Sequence, residues 1–219
     1  MSLYERLVAE TEASRNTFLA IPILQRALRG EVTREEYVRF LGQAYHHVKQ
    51  TVPLLMGFGY HLPKHLQWLQ PAVTEYIEEE KGHEAWILDD IRACGGDAEA
   101  VRHGTPLPET ELMVAYAHDT VQRRNPIGFF GMVFVLEGTS AQLATHAADA
   151  IEQALGLPKS AFSYLTSHGS LDQEHVAFYE TLINRLNTAE DQRALIHGAN
   201  MFYRLYGDIF RAVGATPQH

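Results

Sequence analysis

Three residues in the last third of the chain, His168, Asp172 and His175, stand at i, i+4 and i+7. On a helix, at about 100° per residue, their side chains fall within roughly 60° of one another. Leu165, Leu171, Tyr179, Leu182 and Leu186 share that stripe, so the spacing aims two imidazoles and a carboxylate into a core. Such groups are costly to bury unless they are paired or bind a metal. A second signal lies in EYIEEEKGHEAW, where Glu80 and His83, at i and i+3, fall inside the apolar stripe of Val73, Tyr76, Ile77, Ile87 and Ile91. Glu78 and Glu79 fall outside it on a solvated face, and Glu84 lies near its edge. A Glu-x-x-His pair on one helical face recurs in di-metal carboxylate proteins built from helical bundles. The third signal is Glu137, central to a stripe of Phe130, Val133, Phe134, Ala141, Ala144 and Ala148. No lysine or arginine lies within a helical turn of it, and Gly138, Ser140 and Ala141 leave space around its carboxylate. His146 falls on the far side of the same helix.

Together these segments supply three carboxylates and three imidazoles: Glu80, His83, Glu137, His168, Asp172 and His175. Nitrogen and oxygen donors without thiolate suit iron or manganese, and also zinc. Six ligands exceed what one tetrahedral zinc needs, which favours two metals. The alternative is a buried network of His–Glu and His–Asp pairs with no metal. His47 shares a stripe with Tyr37, Phe40, Ala44, Thr51, Leu54 and Phe58, and reads either as a core histidine or as a further ligand or supporting group; His46 points elsewhere. Cys94, at the negative end of a helix before Gly95-Gly96, reads as structural.

The elements that must carry these residues read almost throughout with a 3.6-residue period, and no strand-type alternation appears. Helices are expected at 3–29 (broken near Ile21-Pro22), 34–60 (kinked by Pro53), 66–94, 109–124, 127–155, 160–187 and 189–213. Thr33 with Glu36 forms a capping-box pattern, and Thr188 can cap the last helix. A chain of 219 residues with 46% hydrophobic content can bury a full core, and no linker or repeat divides it. One all-α domain over residues 1–219 is therefore expected, with about seven helices. A net charge of -9 argues against nucleic acid. The amphipathic, charged N-terminus and the lack of an apolar run approaching ~18 residues argue against a signal sequence and a membrane partner; a cytoplasmic protein follows. The single cysteine excludes an intrachain disulfide.

The spacing of Glu-x2-His, a lone Glu and then His-x3-Asp-x2-His resembles the haem-oxygenase-like di-iron oxidases, a branch of the seven-helix superfamily that also holds haem oxygenase, TenA and PqqC. The resemblance runs from Tyr45-His46-His47-Val48 through the last helix. It implies iron ligation by His83, Glu137, His168, Asp172 and His175, with Glu80 as the ligand of members that use Glu-x2-His. Other members place that glutamate seven residues before the histidine, where this chain has Tyr76. It further implies two iron ions per chain (manganese as an alternative), O2 and a small organic acid or amino acid as substrates, and a homodimer. A substrate carboxylate would pair with Arg123, Arg124 or Lys49, behind a dry wall of Phe130, Met132, Phe134 and Tyr203. The first helix lacks the proximal histidine that a haem oxygenase requires, and the helix FFGMVFVLEGTS lacks the TenA cysteine. The alternative function is a metal-free TenA/PqqC-like protein, either a small-molecule binding module or a cofactorless enzyme.

Overall fold

A computed structural model describes residues 1–215; within it the side chains of residues 168–175 are left undescribed. His168, Asp172 and His175 therefore lie outside the described residues. The described chain is all-α: the seven expected runs divide into eleven α-helices, and a twelfth, at Ala98–His103, lies in a stretch expected to hold none; short 3-10 turns join several of them. The extra breaks have local causes. The first run becomes α1 (Leu3–Glu10), α2 (Glu12–Leu19) and α3 (Pro22–Ala27), the last opening on Pro22, which suits a first helical turn. The second run splits into α4 (Arg34–Val48) and α5 (Thr51–His61). Pro53 has no N–H for the carbonyl of Lys49, and the split falls at Lys49-Gln50. The third splits at Lys81-Gly82 into α6 (Gln70–Glu80) and α7 (His83–Ala93). A short α8 (Ala98–His103) precedes α9 (Pro108–Arg123), α10 (Phe130–Leu155), α11 (Ser163–Ile183) and α12 (Ala189–Gly214). Both expected caps form: Thr33 and Glu36 close a full capping box on α4, and Thr188 accepts from the Asp191 N–H on α12.

The core is one continuous apolar cluster. Its centre is α10, which packs against both α11 and α12. The residues Pro126–Leu155 are, against expectation, long and apolar enough to cross a membrane by length and composition. Glu137 is the only charged residue between Phe130 and Thr145, which explains the apolar reading, and 50% of the most apolar window is buried in the protein, as befits a central core helix. The approach of α12 is set by glycine. A Cβ on Gly198 would stand 2.2 Å from the Gly128 carbonyl oxygen, and one on Gly131 2.2 Å from the Ala199 nitrogen.

Candidate metal centre and its cavity

Glu80 and His83 do not share one helix. Glu80 ends α6, Lys81 turns the chain into extended geometry, and Gly82 takes φ +92° before His83 opens α7. The pair meets nonetheless: His83 Nδ1 lies 3.2 Å from Glu80 Oε2. With Nδ1–H donating to the carboxylate, Nε2 carries the imidazole lone pair, the arrangement in which a carboxylate orients a metal-binding histidine. His83 is buried and stacks on Trp86 with ring centroids 4.1 Å apart.

Glu137 reaches the same region from α10. It and Glu80 line one cavity of about 170 Å³. The walls are mostly aliphatic and aromatic, contributed by α3, α4, α5, α10 and the ends of α11 and α12. Tyr76 lines it beside the two glutamates. Burial and then the charges of Glu137, Glu79 and Glu80 push the Tyr76 phenol far above its ordinary range, so it stays a protonated hydrogen-bond donor. Tyr179 is fully buried behind this wall and is raised likewise by burial, with Tyr76 and Glu137 contributing.

α11 enters the cavity at Tyr164 and Leu165. Its first turn is held from α7: buried Asp90 accepts the N–H of Ser163 at 3.0 Å and of Tyr164 at 2.8 Å. Burial raises the Asp90 carboxyl despite these bonds. Further along, the Tyr179 hydroxyl donates to the Phe130 carbonyl at 2.7 Å, tying α11 to the start of α10. The α6 helix, α10 and the first turn of α11 thus meet around one cavity. Among the described residues, no three His, Cys, Asp or Glu side chains stand close enough together to hold one metal ion.

Several expectations need correction. Of the four proposed wall residues only Met132 lines the cavity; Phe130 and Phe134 turn to Tyr179, and Phe134 also meets Tyr203 edge-on. Val133, Leu136 and Ala144 take their place beside Glu137. α10 is apolar on more than one face, so periodicity alone could not choose between them. Arg123, Arg124 and Lys49 do not line the cavity either. Both arginines pair with Asp119, and Lys49 sits over the Tyr45 ring with its Nζ 3.2 Å from His46 Nδ1. His47 is buried edge-on against Tyr206, which itself lines the cavity, so it stands behind the wall rather than in it. Glu78, Glu79 and His146 are exposed and Glu84 half-buried, as the phase analysis expected. Burial and Asp90 lift the Cys94 thiol to about 11, in keeping with an inert buried cysteine.

A family model described as iron-containing redox enzyme matches residues 38–207. The chain belongs to that haem-oxygenase-like family. Its fold is shared by solved structures of low identity. A domain of unknown function with a haem-oxygenase-like fold from Shewanella denitrificans superposes with a TM-score of 0.84 at 23% identity, covering 97% of this chain and 92% of that one. Haem oxygenase-1 from the cyanobacterium Synechocystis, solved with haem, gives 0.79 at 11% identity over 98% and 93%. A TenA homologue from Pseudomonas syringae gives 0.78 at 11% over 96% and 92%. No curated protein matches the chain. These structural likenesses establish the fold; membership of the family rests on the matched residues.

Proposed function

We propose that the chain is an O2-activating non-haem iron oxidase whose substrate is a small, largely apolar organic acid or amino acid held in the cavity. The observation that carries the reading is that Glu80, in contact with buried His83, and Glu137 line one apolar cavity. Carboxylate and imidazole donors are those that iron takes while leaving positions for exchange. The first histidine in the chain is His46, so α1 to α3 offer none as a proximal haem ligand. His83 and Glu137 would hold iron together with His168, Asp172 and His175 from α11, and Glu80 would orient His83 or share the metal. Helix register supports this set. α10 and α11 are joined by a short connection and tied by the Tyr179–Phe130 contact, so they run antiparallel. Equal rises of 1.5 Å per residue bring Glu137, seven residues after Phe130, level with the α11 segment seven residues before Tyr179.

The chain's own residues divide the remaining work. Met132, Val133, Leu136 and Ala144 exclude water and select an apolar substrate. The Tyr76 phenol, kept protonated by burial and the neighbouring carboxylates, supplies a hydrogen bond to an anionic or oxygen-bearing group beside Glu137. Bound iron would supply the reaction with O2. The test is anaerobic Fe(II) titration of the purified chain followed by O2, with iron counted per chain, absorbance recorded and O2 uptake measured. About two iron atoms per chain, consumed O2 and a new visible band support the oxidase. A folded chain that takes up no iron refutes it and leaves a metal-free binding module.

A further inference from the structure

A second cleft lies away from the candidate metal centre, between α4, the Gly95-Gly96 turn and the segment from Ala100 to Thr105, with a volume of about 550 Å³. Its polar lining, Glu35 apart, is rich in donors. His46 lines it while only 5% exposed. Lys49 Nζ stands 3.2 Å from His46 Nδ1. An ammonium only donates, so Nδ1 accepts and Nε2 carries the proton. Gln43, also buried, spends its carbonyl oxygen on the Leu107 N–H and the Thr110 hydroxyl, at 2.9 and 2.8 Å. Its two amide hydrogens remain. The Arg39 Nη1 donates to the carbonyls of Val213 and Ala215, leaving its Nε and Nη2. Arg34 lies across Gly95, where a Cβ would come within 2.1 Å of its Nη2. Arg34 acts on the Glu35 carboxylate, and Arg39 on that of Glu36, through space.

In a chain of net charge -9, a cleft lined by two arginines and one acid runs against the overall charge. Glu35 is the one acid that lines it among the described residues, and it sits in the first turn of α4, where helix amides offset its charge. Glycines 42, 95, 96 and 104 contribute no side chains to the walls, so a ligand can approach the backbone. Two guanidiniums, an imidazole N–H and an amide NH2 offer more donors than one carboxylate can accept, but match the several oxygens of a phosphoryl group. The volume falls within the range of small-molecule sites.

We propose that this cleft binds a phosphate-bearing small molecule. The site is independent of the metal centre and of the oxidase reading. The test is isothermal titration of the metal-free full chain with inorganic pyrophosphate at low chloride, comparing wild type, Arg34→Gln and Arg193→Gln. Arg34 and Arg193 are both exposed, so neither change threatens the fold. Saturable 1:1 binding is expected, weakened by about tenfold or more in Arg34→Gln and unchanged in Arg193→Gln, because a charge-assisted bidentate contact is worth at least that factor. Absence of saturable binding, or equal affinity in wild type and Arg34→Gln, overturns the proposal. Equal weakening by Arg193→Gln does so too, since binding would then follow overall charge. Tighter binding of succinate than of pyrophosphate overturns the choice of phosphate.

Discussion

Glu80 Oε2 and His83 Nδ1 meet at 3.2 Å although a left-handed residue separates the two helices that carry them. An unbroken helix would bring the pair together by spacing alone; here the break at Lys81-Gly82, with Gly82 at φ +92°, sets their approach. A Cβ on Gly82 would have nothing within 4 Å, so only backbone strain opposes a side chain there.

Gly82→Ala is therefore expected to cost about 1 kcal/mol, the penalty for an L-residue at positive φ, without a steric clash. Gly82→Asn should cost less, since Asn tolerates this region better. Urea unfolding measures both; Ala tolerated as well as Gly would show that the turn is not held in this conformation.

Asp90 ties α7 to α11, because α7 begins at His83 and its Asp90 holds the first turn of α11. Asp90→Ala leaves the N–H groups of Ser163 and Tyr164 without their acceptor, and a loss of about 1–3 kcal/mol is expected. Asp90→Asn, which keeps one carbonyl acceptor, should retain part of that stability. Denaturant midpoints of the two variants against wild type check the order.

Much of this was legible in the sequence, and the misses have physical reasons. The apolar runs, the Thr33 capping box, the Thr188 cap and the Pro53 kink follow from local rules, and all appear. The Lys81-Gly82 break is hidden because the apolar stripe keeps its phase across it, from Tyr76 to Ile87. The cavity face of α10 is ambiguous because Phe130 and Phe134 are as apolar as Val133 and Leu136. Asp90 gives no local sign at all: its partners lie more than 70 residues away. Tyr76 stood out in sequence as the residue where some relatives carry a glutamate, but its place on the cavity wall needed the structure.

The approach of α12 to the turn before α10 tolerates no side chain at Gly198, whose Cβ would meet the Gly128 carbonyl, a backbone atom that cannot swing aside. Gly198→Ala should destabilise the chain by about 1–3 kcal/mol or more, the usual cost of overpacking. A thermal melt within a degree or two of wild type would contradict the close approach.

Asp191 offers a pH-dependent test. Burial pushes its carboxyl up, but hydrogen bonds from Asn125, Thr188 and His65 outweigh this and hold it below the ordinary range. A depressed folded-state value adds stability above the unfolded pKa of about 3.9, and that stability is lost as pH falls through the lower folded value. The stability gap between wild type and Asp191→Asn should therefore narrow as pH drops below about 4. A gap that stays constant over that range would show that the carboxylate charge contributes nothing.

The central claim is that Glu137 on α10, His83 on α7 and the α11 triplet form one iron site. The direct measurement is iron per chain after anaerobic Fe(II) loading and desalting, in wild type, Glu137→Ala and Asp172→Ala, with circular dichroism confirming the fold of each. Close to two iron atoms in wild type and well under one in either folded variant is the expected result, because each substitution removes a carboxylate ligand. Full iron retention in either variant would contradict the site.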